Sequence, residues 1–377
     1  MKQAILNNLK NIYGWKTKRK IVVISVDDYG NVRLDSKNAR EKINQAGLKV
    51  KSRFDAFDTM ETREDLELLF ETLTSVKGKN GRHAVFTPFA LPCNIDFEKV
   101  LAKKDKKYEY ELLPVTFEKL EAKDTITYKG TWNLWKEGID NKIMLPQFHG
   151  REHLNIKVFE EKLAQNDEQL LTALENRSYT GITNSGYATI NYTAAFDFWD
   201  PKENQALHDI LIDGMLQFKN VFGYTPNHFM PSTSKIHPTH YPVLKKEGIN
   251  YIDTNLIHRQ HQGFSKYRKS YNYTGKKIKT GQIYMVRNIV FEPTDNRSFD
   301  WVNYTLKQIE TAFHWNRPAV LSSHRVNFCG YIDDKNRKIG IDTLKELLKK
   351  IVKKWPDVEF MAANELGDLI SNSRINV

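Results

Sequence analysis

The stretch Ile21-Val-Val-Ile-Ser-Val-Asp27-Asp28-Tyr29-Gly30 decides how this chain is read. A β-branched apolar run of strand length leads directly into two adjacent carboxylates and a glycine turn. Working outward, apolar runs of the same kind recur at His83–Phe89, Lys142–Phe148, His228–Ser232, Tyr251–Thr254, Ile283–Phe291, Pro318–His324 and Glu359–Ala363. Between them lie segments whose apolar positions recur at three and four: Ser36–Gln45, Arg63–Val76, Ile156–Gln165, Asn204–Phe222, Phe299–His314 and Ile341–Lys354. Such segments read as helices. Strands alternating with helices predict an α/β protein with a mostly parallel sheet, and seven or eight strands predict a barrel.

Two stretches break the rhythm. Residues 103–141 are charged and aromatic, and residues 255–281 contain seven Lys/Arg and no acid. Both read as insertions over one barrel face. No repeat and no proline- or glycine-rich linker marks a boundary, so the expectation is an N-terminal extension over residues 1–20 and one elaborated domain over 21–370.

Composition narrows the class. With 40% hydrophobic, 12% aromatic and 27% charged residues over 377 positions, the chain is neither disordered, collagen-like nor membrane-spanning. Its net charge of +11 draws anionic partners only if focused on one face. Cys93 and Cys329 have no metal spacing and are too far apart to form a disulfide framework, which fits a reducing compartment. Residues 1–20 are basic without an apolar signal-peptide core, giving a cytoplasmic expectation with no membrane partner.

The chemistry concentrates at strand ends. Asp27 and Asp28 stand where a barrel's active-site rim begins, although acids before a glycine turn also cap helices. The third strand runs into His149-Gly-Arg-Glu-His153. If residues 149–153 form a helical turn, both imidazoles share a face with Cβ atoms about 5–6 Å apart. They can then hold one ion, for which neutral imidazole suits Zn, with Co, Ni or Fe as alternatives. Two solvated or capping histidines are the plainer reading. The seventh strand ends Leu321-Ser-Ser-His324, bringing a third histidine to the rim. Asp28, His149 and His153 around one divalent ion leave a position for water, which Asp27 could deprotonate while His324 protonates a leaving group.

These residues, in this order, resemble the polysaccharide deacetylases of the NodB-homology type, carbohydrate esterase family 4, together with the YdjC-like deacetylases. The resemblance runs from about residue 20 to 370. It implies an irregular (β/α)7, TIM-like barrel and removal of N- or O-acetyl groups from a sugar or polysaccharide. It also implies Asp27 as base, Asp28, His149 and His153 as the metal triad, and His324 as acid. The family carries an Arg-x-Pro segment that orients the base, but this chain reads Phe229-Met-Pro231 there, which leaves the arginine's role vacant or moved. Arg287, Arg151 and Arg325 are alternatives that the sequence does not rank. Asp253 matches the family's acidic partner of the catalytic histidine, or else caps a helix.

Rival readings remain. His149-x-x-Glu152-His153 is also the inverted zinc-peptidase signature, which needs a continuous helix that Pro146 and Gly150 weaken. A barrel without its arginine could bind carbohydrate and not hydrolyse it. The tyrosines and cations of 255–281 are compatible with nucleic-acid stacking. A solvated loop or an anionic-glycan contact is the preferred reading, so no stable nucleic-acid partner is expected.

Overall fold

A computed structural model describes residues 2–48, 50–103, 107–182 and 184–373. Its centre is β1 (Lys20–Tyr29), in which every residue after Lys20 is buried. Eight further strands pair around it in parallel: β2 (Phe86–Ala90), β3 (Gln147–Phe148), β4 (His228–Phe229), β5 (Tyr251–Asp253), β6 (Ile283–Met285), β7 (Ile289–Val290), β8 (Ala319–His324) and β9 (Val358–Met361). The order is β6-β5-β4-β3-β2-β1-β8-β7. β9 pairs with Lys20–Val23, the part of β1 that precedes its pairing with β2 at Ile24. The curled sheet is the α/β barrel type that the sequence predicts, left open because β6 and β7 do not pair. The predicted strand Ile283–Phe291 is thus two short strands, interrupted at Val286–Asn288.

Helices cross between successive strands. Arg63–Thr74 joins β1 to β2, Asn204–Phe222 joins β3 to β4, and Trp301–His314 joins β7 to β8. Asp334–Lys354 joins β8 to β9, beginning earlier than its apolar periodicity indicates, with Asp333 as its N-cap and Arg337 paired to Asp65. Cys93 and Cys329 are free and buried.

The two irregular stretches fold differently. Within 103–141 the chain forms helices Leu113–Lys123, Thr125–Tyr128 and Thr131–Asp140, which sequence periodicity did not reveal. Trp135 from the last of these is fully buried against Tyr29, with ring centroids 6.0 Å apart. Residues 255–281 rise as a hairpin, Ile257–His261 against Tyr267–Tyr271, with Lys276–Lys277 added antiparallel to β6.

The N-terminal segment is docked on the barrel. Helix Lys2–Leu9 leads to Asn11, whose side chain accepts a 2.7 Å hydrogen bond from Asn288, while Arg317 donates to the carbonyls of Asn11 and Ile12. Lys10 is thereby brought to the open side of the sheet.

Candidate active site

Register explains the first pairing. β1 and β8 run parallel with Asp27 opposite His324, so the proposed base and acid are neighbours across one ladder. Successive residues of a regular strand face opposite sides, yet Asp27 and Asp28 line the same cavity of about 280 Å³. The pairing of β1 with β2 shifts between Val26 and Tyr29, and Asp28 there takes φ = 77°, a left-handed conformation costly for a residue with a Cβ. That irregularity turns both carboxylates to the rim. The next glycine, Gly30, also has positive φ, and a Cβ there would lie 2.7 Å from the Leu91 carbonyl. Its N–H donates to Glu61, which with Asp58 holds the buried guanidinium of Arg325.

His149 and His153 reach Asp28 from the loop after β3. Their Nε2 atoms lie 3.4 and 3.2 Å from Asp28 Oδ1. The segment is not a helical turn. His149 N–H donates to the Ala90 carbonyl, Cys93 N–H to the Arg151 carbonyl, and Gly150 sits at φ = 136°. Chain irregularity, and not i,i+4 helix spacing, brings the rings together. His149 Nδ1 donates to the Met230 carbonyl at 2.6 Å, so a neutral ring presents its Nε2 lone pair toward the carboxylate. Two acceptors facing each other in a buried site, with that Nε2 lacking a hydrogen-bond partner, form an arrangement that a cation satisfies.

An arginine reaches Asp27 from a different strand end. Phe229 is wholly buried in the sheet, whereas Arg287, in the break between β6 and β7, grips both oxygens of Asp27 at 2.8 Å. Its Nε donates to Asp253 at 2.8 Å, and His228 Nε2 lies 3.1 Å from the other Asp253 oxygen. Asp253 therefore does not contact His324, whose Nδ1 lies 2.7 Å from Oε1 of Glu292, just past β7. Burial opposes charge on His324, yet Glu292 lifts its pKa to about 9. Glu292 is itself held by Arg53 and by Asn327, and Phe54 packs edge-on to the His324 ring. The remaining arginine candidates are engaged away from the base. Arg151 pairs with Glu152 and Asp213, and Arg325 with Asp58 and Glu61. Arg151 and the Tyr108 hydroxyl both bond to Glu152 Oε2, while its Oε1 is buried without a hydrogen-bond partner.

Sequence reasoning missed Glu292 and His228 and left Arg287 unranked. A signal for Arg287 was present, since a charge interrupting the apolar run Tyr284-Met-Val-Arg287-Asn-Ile-Val290 must find buried partners.

No family model matches the chain, and no curated protein matches it. Solved structures do. They include polysaccharide deacetylases, a 4-alpha-glucanotransferase and an allantoinase, all at 10% identity or less. A protein assigned as a polysaccharide deacetylase, from Mycobacterium smegmatis, is 9% identical with a TM-score of 0.48 over 96% of this chain and 94% of that one. Another, from Pseudomonas aeruginosa PAO1, is 9% identical with a TM-score of 0.44 over 93% and 91%. The Puue allantoinase is 10% identical with a TM-score of 0.42 over 94% and 91%.

Proposed function

We propose that this chain is a divalent-metal-dependent deacetylase that hydrolyses an N- or O-acetyl group on a sugar or polysaccharide. The observation that carries the reading is the convergence, in one cavity, of Asp27 held by Arg287, His324 held by Glu292, and the Asp28, His149 and His153 donor set. The donor atoms of that triad lie within 4.8 Å of one another, and two imidazoles with one carboxylate suit zinc, leaving cobalt, nickel or iron as alternatives. A bound ion supplies Lewis-acid polarisation of the acyl carbonyl and lowers the pKa of water.

The chain's own groups supply the proton transfers. Asp27 takes a proton from the attacking water as the new C–O bond forms. His324 delivers a proton to the departing nitrogen or oxygen as the acyl bond breaks, releasing acetate and a free amine or alcohol. Arg287 keeps Asp27 oriented, which answers the main objection that favoured a barrel able only to bind.

Elemental analysis and acetate release over a panel of acetylated sugars test the reading together. Wild type is expected to bind about one ion per chain and to release acetate. His149→Ala/His153→Ala should lose most of the ion, whereas Asp27→Asn should keep it and lose activity. Metal content unchanged by loss of both histidines, or no acetate from any sugar, overturns the reading.

A further inference from the structure

The catalytic cleft has a second arm. On the side away from the triad, a cavity of about 340 Å³ is lined by Lys10, Asn255 and Ser322 together with Asp27 and Asp253, whose carboxylates are both paired with Arg287. Arg287 is committed to Asp27 and Asp253, and Lys10 is not comparably engaged. Its ammonium makes no ion pair or side-chain hydrogen bond among the described residues, and it is partly buried by the docked N-terminal segment. Burial lowers its pKa. A partly desolvated, unpaired ammonium at the edge of a reaction cavity is costly unless a ligand compensates it.

The surface beyond carries the same sign. Asn255 and Leu256, on the rim of this arm, lead directly into the hairpin whose stretch 255–281 holds seven cations and no acid. Tyr271 and Phe264 are exposed along it, and Tyr273 lies beside Lys10 in an adjoining crevice. Aromatic faces suit sugar rings and cations suit their acidic substituents.

We infer that this arm is a subsite for an acidic sugar, so that the glycan presented to Asp27 and His324 carries a carboxylate or phosphate facing Lys10. The inference rests on the deacetylase reading for the site's chemistry but makes a claim about binding that does not need turnover. Other charged clusters carry less. Asp96, Glu98 and Glu111 already share the ammonium of Lys119.

Acyl-free ligands separate the two claims. Calorimetry on the zinc-loaded full chain compares a glucose tetrasaccharide with the same chain bearing one glucuronate and with one bearing a 6-phosphate. Acid-bearing ligands are expected to bind about three- to ten-fold tighter than the neutral one at low salt, the gain of one partly buried ion pair. That gap should narrow as salt rises and close in Lys10→Met, whose melting temperature checks the fold. A preference for one acid-bearing ligand names the source of the charge. Equal binding of all three ligands, or an undiminished gap in Lys10→Met, overturns the inference, as does a single-stranded oligonucleotide that binds more tightly than any sugar and is indifferent to Lys10. Absence of acetate release in the separate assay overturns the enzyme reading and leaves the acidic-sugar subsite standing.

Discussion

Arg287 holds Asp27 by two parallel hydrogen bonds of 2.8 Å, one to each carboxylate oxygen, and both side chains are nearly inaccessible to solvent. Such a fork fixes direction as well as charge. It fixes the direction of Asp27 although the fourth strand carries Phe229 in place of an arginine. The cation comes instead from the gap between β6 and β7, where the sheet fails to close and a long side chain can cross the rim.

Arg287→Lys keeps the charge but loses the planar fork. If Asp27 works as the base, kcat/KM should fall by about 10²-fold or more, within the range that general acid–base catalysis contributes, while metal content stays at wild-type level. Arg287→Met strands two buried carboxylates and should cost about 3–5 kcal/mol in denaturant unfolding. A lysine variant with wild-type turnover would show that orientation of Asp27 is irrelevant.

If Arg287 orients the base, Asp253, which holds Arg287 Nε at 2.8 Å, acts through it as a positioning residue. Burial would raise its carboxyl, but Arg287 and His228 hold it below the usual range. Asp253→Asn should lower kcat about 10- to 100-fold, as for other residues one shell out, with KM for a small acetyl ester little changed. The acid limb of its pH profile should also shift, because Arg287 is no longer pinned. A stability loss with an unaltered profile would make the residue merely structural.

Much of this arrangement was legible because strand chemistry is local. β1 announces itself by six consecutive β-branched or small residues, and the register that sets Asp27 beside His324 follows from two strands of similar apolar length ending in polar groups. The histidine pair was legible as a pair, but its geometry was not, since only the neighbouring strand ends hold residues 149–151 out of a helical turn. Glu292 and His228 were invisible for a different reason. Each is ordinary in its own segment and gains meaning only from a partner 32 or 25 residues away across the fold.

The segment 103–141 shows the same limit. Its helices carry aromatic residues whose partners lie on other elements, among them Trp135 against Tyr29 and Phe222. Tyr29 directly follows Asp28, so this packing braces the strained end of β1. Trp135→Ala should cost about 3–5 kcal/mol and weaken metal retention before global unfolding. A surface lid would show neither effect.

His324 and Glu292 give the sharpest pH test. The pair raises the histidine to about 9 against an ordinary 6.5. The stability it contributes is therefore fully present below 6.5 and is lost as pH rises through about 9. If His324 is the acid, the same proton goes to the leaving group, and kcat/KM should fall on the alkaline side as it is lost. A cation at the nearby triad moves that limb downward in wild type and variant alike. Glu292→Gln removes the opposing charge and leaves burial unopposed, so the alkaline limb should move to lower pH, and an NMR titration of the His324 ring should move with it. An activated aryl acetate, whose leaving group needs little protonation, should be spared in both proteins. If the limb for acetylated sugars stays where it was while the imidazole titration shifts, His324 is not the acid and the proton must come from another group in the cleft.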